Sequence, residues 1–146
     1  MTVHAQVAAH QVVVKATVAS ALTKICSLTT RSLSRSVSAN AVPAARDCDD
    51  PDAVPGTMRI ATSADSTISG EARYHKELRA TVDALIGVSS VTQFILPGTG
   101  AEGGGYWQGT YMLTGIDISG EDGDTLVASL TWELDDATLP AWTAAA

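Results

Sequence analysis

The chain has 146 residues, 45% of them hydrophobic, and a formal net charge of −7. That is the length of one domain, 1–146, long enough to bury a core without covalent staples. All nine Lys and Arg lie at or before Arg79, while residues 81–146 hold nine acids and no base, so the average field excludes binding to nucleic acid by attraction.

Composition sets the class before any motif does. There is one Phe, and Ala, Ser, Thr and Val are abundant, which favours sheets packed through small side chains. Nothing reads as a membrane span. The run "QVVVKATVASAL" is broken by Lys15 and has no charged leader, a poor fit to a signal peptide.

Residues 1–11 form a leader that is either flexible or docked on a neighbour. The following "QVVVKATVASALTKICSLTTRSLSRSVSANAV" reads as extended chain almost throughout, with no Gly or Pro until Pro43. Within it Arg31, Leu33, Arg35 and Val37 share one face, and Thr30, Ser32, Ser34, Ser36 and Ser38 the other. Either this is an edge strand guarded by two arginines, or both of its faces meet something. The stretch "PAARDCDDPDAVPGT" carries Asp47, Asp49, Asp50 and Asp52 among prolines. A loop of that length points to a binding role or to order gained from a neighbour. Strand character resumes in "MRIATSADSTISGEARY".

A helix is predicted over "RYHKELRATVDALIG". Tyr74, Leu78, Val82 and Leu85 follow the 3.6-residue period with Ile86 beside them, and Gly87 supplies the stop. One apolar stripe covers a sheet. After it come a strand, "SSVTQFILP", and a glycine-rich loop, "GTGAEGGG". A hairpin follows in which Leu126, Ala128, Leu130, Trp132 and Leu134 fall on one face of the second strand. In its first strand Met112, Thr114, Ile116 and Ile118 are expected to alternate against Leu113, Gly115, Asp117 and Ser119. Leu78, Val82, Leu85, Leu130 and Trp132 are the expected core of helix and hairpin. Residues 137–146 are a small-residue tail, frayed or pinned by Trp142 to a neighbouring surface.

No catalytic constellation emerges. "GTGAEG" spells a dinucleotide fingerprint but runs into a strand, whereas the pyrophosphate needs a helix N-terminus. "DCDDPD" lacks the spacing and central Gly of a calcium loop. His4, His10 and His75 are scattered, and Cys26 and Cys48 have no metal spacing, so they read as two free thiols with a disulfide as the alternative. No metal or cofactor is expected. Tyr106, Trp107 and Tyr111 serve as core or inter-subunit anchors, with a sugar-stacking platform as the rival idea.

Three pieces of the sequence carry a resemblance. "LTTRSLSRSVSANAVPAARDCDDPD", "STISGEARY" and "GYWQGTYMLTGIDISGEDGDTLVASLTWEL" resemble, in that order, patches of the tail tube (major tail) proteins of long-tailed phages and gene transfer agents. The likeness spans roughly residues 25–135. It implies a mainly β fold: an antiparallel β-sandwich or barrel subunit with one flanking α-helix, its inner sheet completed across subunits into a large barrel. It further implies hexameric rings stacked into a virion tail tube assembled in the host cytoplasm. Such a tube houses a tape-measure protein, contacts tail terminator and distal tail proteins, and conducts genomic DNA without binding it specifically. On that reading Ser32, Ser34, Ser36 and Ser38 face the lumen. Asp47, Asp49, Asp50, Asp52, Trp107 and Trp142 make inter-subunit or inter-ring contacts. Two other classes compete. One is a terminator, secretion-tube ring or capsid decoration protein. The other is an enzyme or carbohydrate-binding sandwich, for which Asp117 and Glu133 are the only acids placed on adjacent strands.

Overall fold

The alternating stretch after Leu126 forms a strand because every second residue is apolar and none is Gly or Pro. Ala128, Leu130 and Trp132 are buried while their neighbours stay partly or fully exposed. In the computed structural model, which describes residues 6–25, 28–46 and 48–146, this is the seventh of eight strands. In chain order they are β1 (Val13–Val18), β2 (Ala21–Lys24), β3 (Leu28–Pro43), β4 (Thr57–Arg73), β5 (Ser89–Leu96), β6 (Gly105–Ser119), β7 (Val127–Leu134) and β8 (Ala141–Ala144). The helix α1 (Lys76–Leu85) lies between β4 and β5. All strands join one antiparallel sheet in the order β2-β1-β5-β6-β7-β4-β3, with β8 added to β6. Among the described residues the protein is therefore mainly β with a single α-helix, in one sheet that curls on itself. Val14 and Ala16 of β1 enter the same core as Ile68 and Ala72 of β4, although four strand positions separate them along the sheet.

The helix forms where its period lies. Leu78, Val82 and Leu85 are buried against that core, and His75 caps the N-terminus, its Nδ1 accepting from the Leu78 N–H at 3.3 Å. Gly87 ends it with φ +71°. Ile86 departs from the stripe. It lies just past the helix, exposed, and bridges the backbone of Leu113.

Three strand irregularities correct the simple alternation. The register skips one residue at Thr29 in β3, at Thr62 in β4 and at Thr114 in β6. Each extra residue is a threonine whose hydroxyl donates across to a carbonyl of the partner strand: Thr29 to Glu71 O (3.3 Å), Thr62 to Ser38 O (3.0 Å) and Thr114 to Thr131 O (3.4 Å). A bulge breaks the ladder locally, and the hydroxyl replaces a bond the backbone no longer makes. The bulge at Thr114 keeps Ile116 and Ile118 together but exchanges Met112 and Leu113 relative to them. Tyr111 and Leu113, not Met112 and Thr114, are buried, and Leu113 joins Ile116 on the side that faces Trp132 and Leu130.

The N-terminal segment is likewise not one extended run. A two-residue turn at Ala19 and Ser20, with φ of 50° and 67°, folds it into the β1–β2 hairpin. Such turns favour Asn-Gly because both residues sit at positive φ, so a turn written in Ala and Ser gives no compositional sign. The tail also gains structure: Ala141–Ala144 pairs with Gly105–Gln108 of β6.

Candidate functional site, a polar sheet face and a projecting arm

Four neighbouring strands present one continuous polar face. Across β3, β4, β7 and β6 the rows read Thr30–Glu71–Ser129–Asp117, Ser32–Ser69–Thr131–Gly115, and Ser34–Thr67–Glu133–Met112. Ser36 and Ser38 continue the face opposite Asp65 and Ser63. Ser32, Ser34, Ser36 and Ser38 are all exposed. Ser32 and Ser69 share a hydroxyl–hydroxyl bond, and the Ser34 hydroxyl donates to Thr67 O at 3.4 Å. The face carries four carboxylates, Asp65, Glu71, Asp117 and Glu133. Arg73, at its margin, donates to the Thr125 hydroxyl at 2.8 Å. Asp117 and Glu133 do not converge. The β7 partner of Asp117 is Ser129, four residues from Glu133, about 13 Å of strand, too far for a paired-carboxylate site.

Beyond Ser66 the β3–β4 hairpin leaves the sheet. Among the described residues no strand other than β3 pairs with Thr57–Ser66, and the last rung to β7 is Thr67 with Glu133. This arm is exposed on both sides, every residue from Thr57 to Asp65 being exposed, with Ile60 at 54% and Met58 at 56% on one of its faces. The expected acidic loop is its tip. Ala44 N–H donates to Gly56 O at 2.8 Å, and Ala53 N–H to Asp50 O at 3.1 Å. The Arg46 guanidinium donates to Pro51 O (3.0 Å) and Ala53 O (3.4 Å). Asp49, Asp50 and Asp52 are exposed around this stitched turn, as is the free thiol of Cys48. Asp47 and Cys26 lie outside the described residues.

Side chains tie the arm's root to β6. Ser66 is buried, donates to Ser34 O at 2.8 Å, and pairs with the Tyr111 hydroxyl at 2.8 Å. Burial raises the Tyr111 phenol above its usual range, opposed by the Ser66 hydrogen bond and the nearby Arg35 charge. The Arg35 guanidinium lies 5.3 Å from the Trp107 ring centre. Trp107 in turn meets Trp142 of β8 at 4.6 Å and Phe94 at 6.3 Å. Trp107 and Trp142 thus contact each other within one chain, with Trp142 still 41% exposed. Sequence reasoning missed the Ser66–Tyr111 pair. The one available sign was a Ser in the apolar register of β4.

The remaining candidates scatter. "GTGAEG" closes in a short 3-10 turn (Gly100–Glu102) that leads into β6 and not into a helix. His75 caps α1 and lies 3.1 Å from Glu77, whose carboxyl is held below its usual range by a backbone hydrogen bond and by His75. Among the described residues no group of three or more His, Cys, Asp or Glu could hold a metal.

A family model described as phage tail tube protein matches residues 11–138, most of the chain and all of the polar face and arm. The chain belongs to the phage tail tube protein family. The structure of this tail tube protein is also similar to a chain in the tail of an empty gene transfer agent particle refined helically with C6 symmetry. The TM-score is 0.69 and the identity 19%, covering 96% of this chain and 100% of that one. A chain of a native gene transfer agent virion is similar at TM-score 0.68 and 20% identity, with the same coverage. No curated protein matches the chain.

Proposed function

We propose that this tail tube protein is the wall subunit of a hollow tube, built from six-membered rings that stack along an axis. The observation that carries the reading is the four-stranded face of hydroxyls and carboxylates, bounded by β3, a sixteen-residue strand with no outer partner among the described residues. A long open edge is a pairing hazard for a lone chain. Joining it to the next copy's sheet removes the hazard and continues the wall as a barrel. The C6 tail in which a chain of similar fold is found supports the ring number.

In that wall Ser32, Ser34, Ser36 and Ser38 line the bore with Asp65, Glu71, Asp117 and Glu133. Phosphates passing along such a surface meet water-binding hydroxyls and like charge, so DNA moves without being gripped. The bore holds the tape-measure protein until it leaves. Terminator and distal tail proteins cap the two ends. Asp49, Asp50 and Asp52 on the arm tip, and Trp142 on β8, are placed to meet neighbouring copies.

Electron microscopy of the purified protein tests the proposal. Rings or tubes of uniform bore are expected. A monodisperse monomer under every assembly condition overturns it.

A further inference from the structure

We propose that β8 is a strap whose seating on β6 sets the direction of the arm, with Trp107 and Trp142 as positioning residues. β7 and β8 lie on the same side of β6, opposite β5, one after the other. Tyr111 pairs with Leu134 of β7, and Gln108 with Ala141 of β8. The sheet therefore forks at this level. One prong is β6 with β8. The other is the arm, which parts from β7 just past the Thr67–Glu133 rung. Among the described residues no strand pairs between the prongs.

Side chains span the crotch of the fork. The buried Ser66 hydroxyl spends its proton on Ser34 O at 2.8 Å, so the Tyr111 hydroxyl, 2.8 Å away, donates to it. Arg35, the β3 partner of Ser66, places its guanidinium 5.3 Å from the Trp107 ring centre. Trp107 faces Trp142 across the β6–β8 ladder, ring centres 4.6 Å apart. The seat is shaped to bring β8 this close. A Cβ at Gly105 would collide with the Thr143 carbonyl and lie 2.8 Å from Trp142 Cζ2. One at Gly109 would lie 3.1 Å from the Tyr111 ring and 3.3 Å from Pro140. Strap, indole pair, arginine and arm root thus form one contiguous packed chain.

The strap is its weak link. β8 has four residues, all exposed, and a single ladder, so it opens at less cost than a core strand. When it lifts, Trp107 loses the ring opposite it and the Arg35 contact loosens with it. A neighbour covering the exposed part of Trp142 does the reverse, binding the seated state and so selecting one arm direction. Contacts at β8 and at the arm are thereby coupled. That consequence for assembly rests on the stacked-tube reading; the coupling within one chain does not.

Electron–electron distances between two spin labels on the unassembled chain test the strap. In a Cys26→Ser background one label sits on the Cys48 thiol at the arm tip. The other sits on Ala101→Cys, at the end of the opposite prong. A single narrow distance is expected, kept by Trp142→Phe and lost to a broad spread in Trp142→Ala. Trp142 is 41% exposed and outside the buried core, so its removal leaves the fold intact. Gly105→Ala, which unseats the strap without touching an aromatic ring, should give the same loss. Val91→Ala, at an exposed position away from the fork, should keep the narrow distance. A narrow distance that survives Trp142→Ala or Gly105→Ala overturns the strap, as does a broad spread in the labelled chain with no further change. Failure of the wild-type chain to form tubes overturns the tube reading and leaves the coupling standing.

Discussion

The two ends of the β3–β4 hairpin are the same strands in two different situations. At the root, Ile68 is 1% exposed, clasped by β3 and β7 and covered by the core. In the arm, Ile60 on the same strand is 54% exposed, with β3 the one strand beside it among the described residues. Two strands alone are marginal in water. The arm holds its shape because Ser66, Tyr111, Arg35 and Trp107 fix its base and Arg46 stitches its tip, while its apolar side chains stay exposed. Strand propensity is shared by both ends; neighbours decide which end is core and which is contact.

Deleting bulk at the root should give the largest effect. Trp132→Ala should lower unfolding free energy by about 3–5 kcal/mol, read from the denaturant midpoint. Gly70→Ala comes next, at about 1–3 kcal/mol, because a Cβ there would sit 2.5 Å from Thr30 O. Tyr111→Phe should cost about 1 kcal/mol by removing the Ser66 bond, and it also sharpens the contrast by pH. The folded phenol titrates above its unfolded value of 10.0, so its contribution is intact below pH 10 and is lost as pH rises through the higher folded value. In the wild type, thermal stability should therefore fall more steeply above pH 10 than in Tyr111→Phe. At the other end, Ile60→Ser should change monomer stability by no more than about 0.5 kcal/mol while sharply reducing assembly seen by light scattering. An arm substitution as costly to the monomer as Trp132→Ala would erase the distinction.

The sequence shows what period and composition encode. The α1 stripe, the β7 alternation, the hydroxyl side of β3 and the acidic loop all appear as regular spacing or as local enrichment, and the structure contains each of these elements. The Ala19–Ser20 turn stayed hidden because neither residue announces positive φ. The bulges stayed hidden because one extra threonine looks like any other strand residue, and it inverts the faces on one side of it relative to the other, as in β6, where Leu113 joins Ile116 and Ile118 and Met112 parts from them. β8 was illegible for a different reason. Its pairing depends on β6 lying alongside, a long-range fact that four small residues around one Trp do not state. Of the candidate surface, the serine row was legible but its alignment with Asp65, Glu71, Glu133 and Asp117 was not, since that needs the register of three ladders.

The extra residue at Thr62 controls more than a local kink. Upstream in β4, toward the tip, it moves Ile60 and Met58 to the side occupied by Asn40 and Val42, which continues the serine row of β3. Were Thr62 paired with Ala39 in a regular ladder, Ile60 would stand opposite Ala41 and Met58 opposite Pro43, on the other surface, without any change of sequence. The bulge at this one position thus decides which flank of the hairpin carries its exposed apolar side chains.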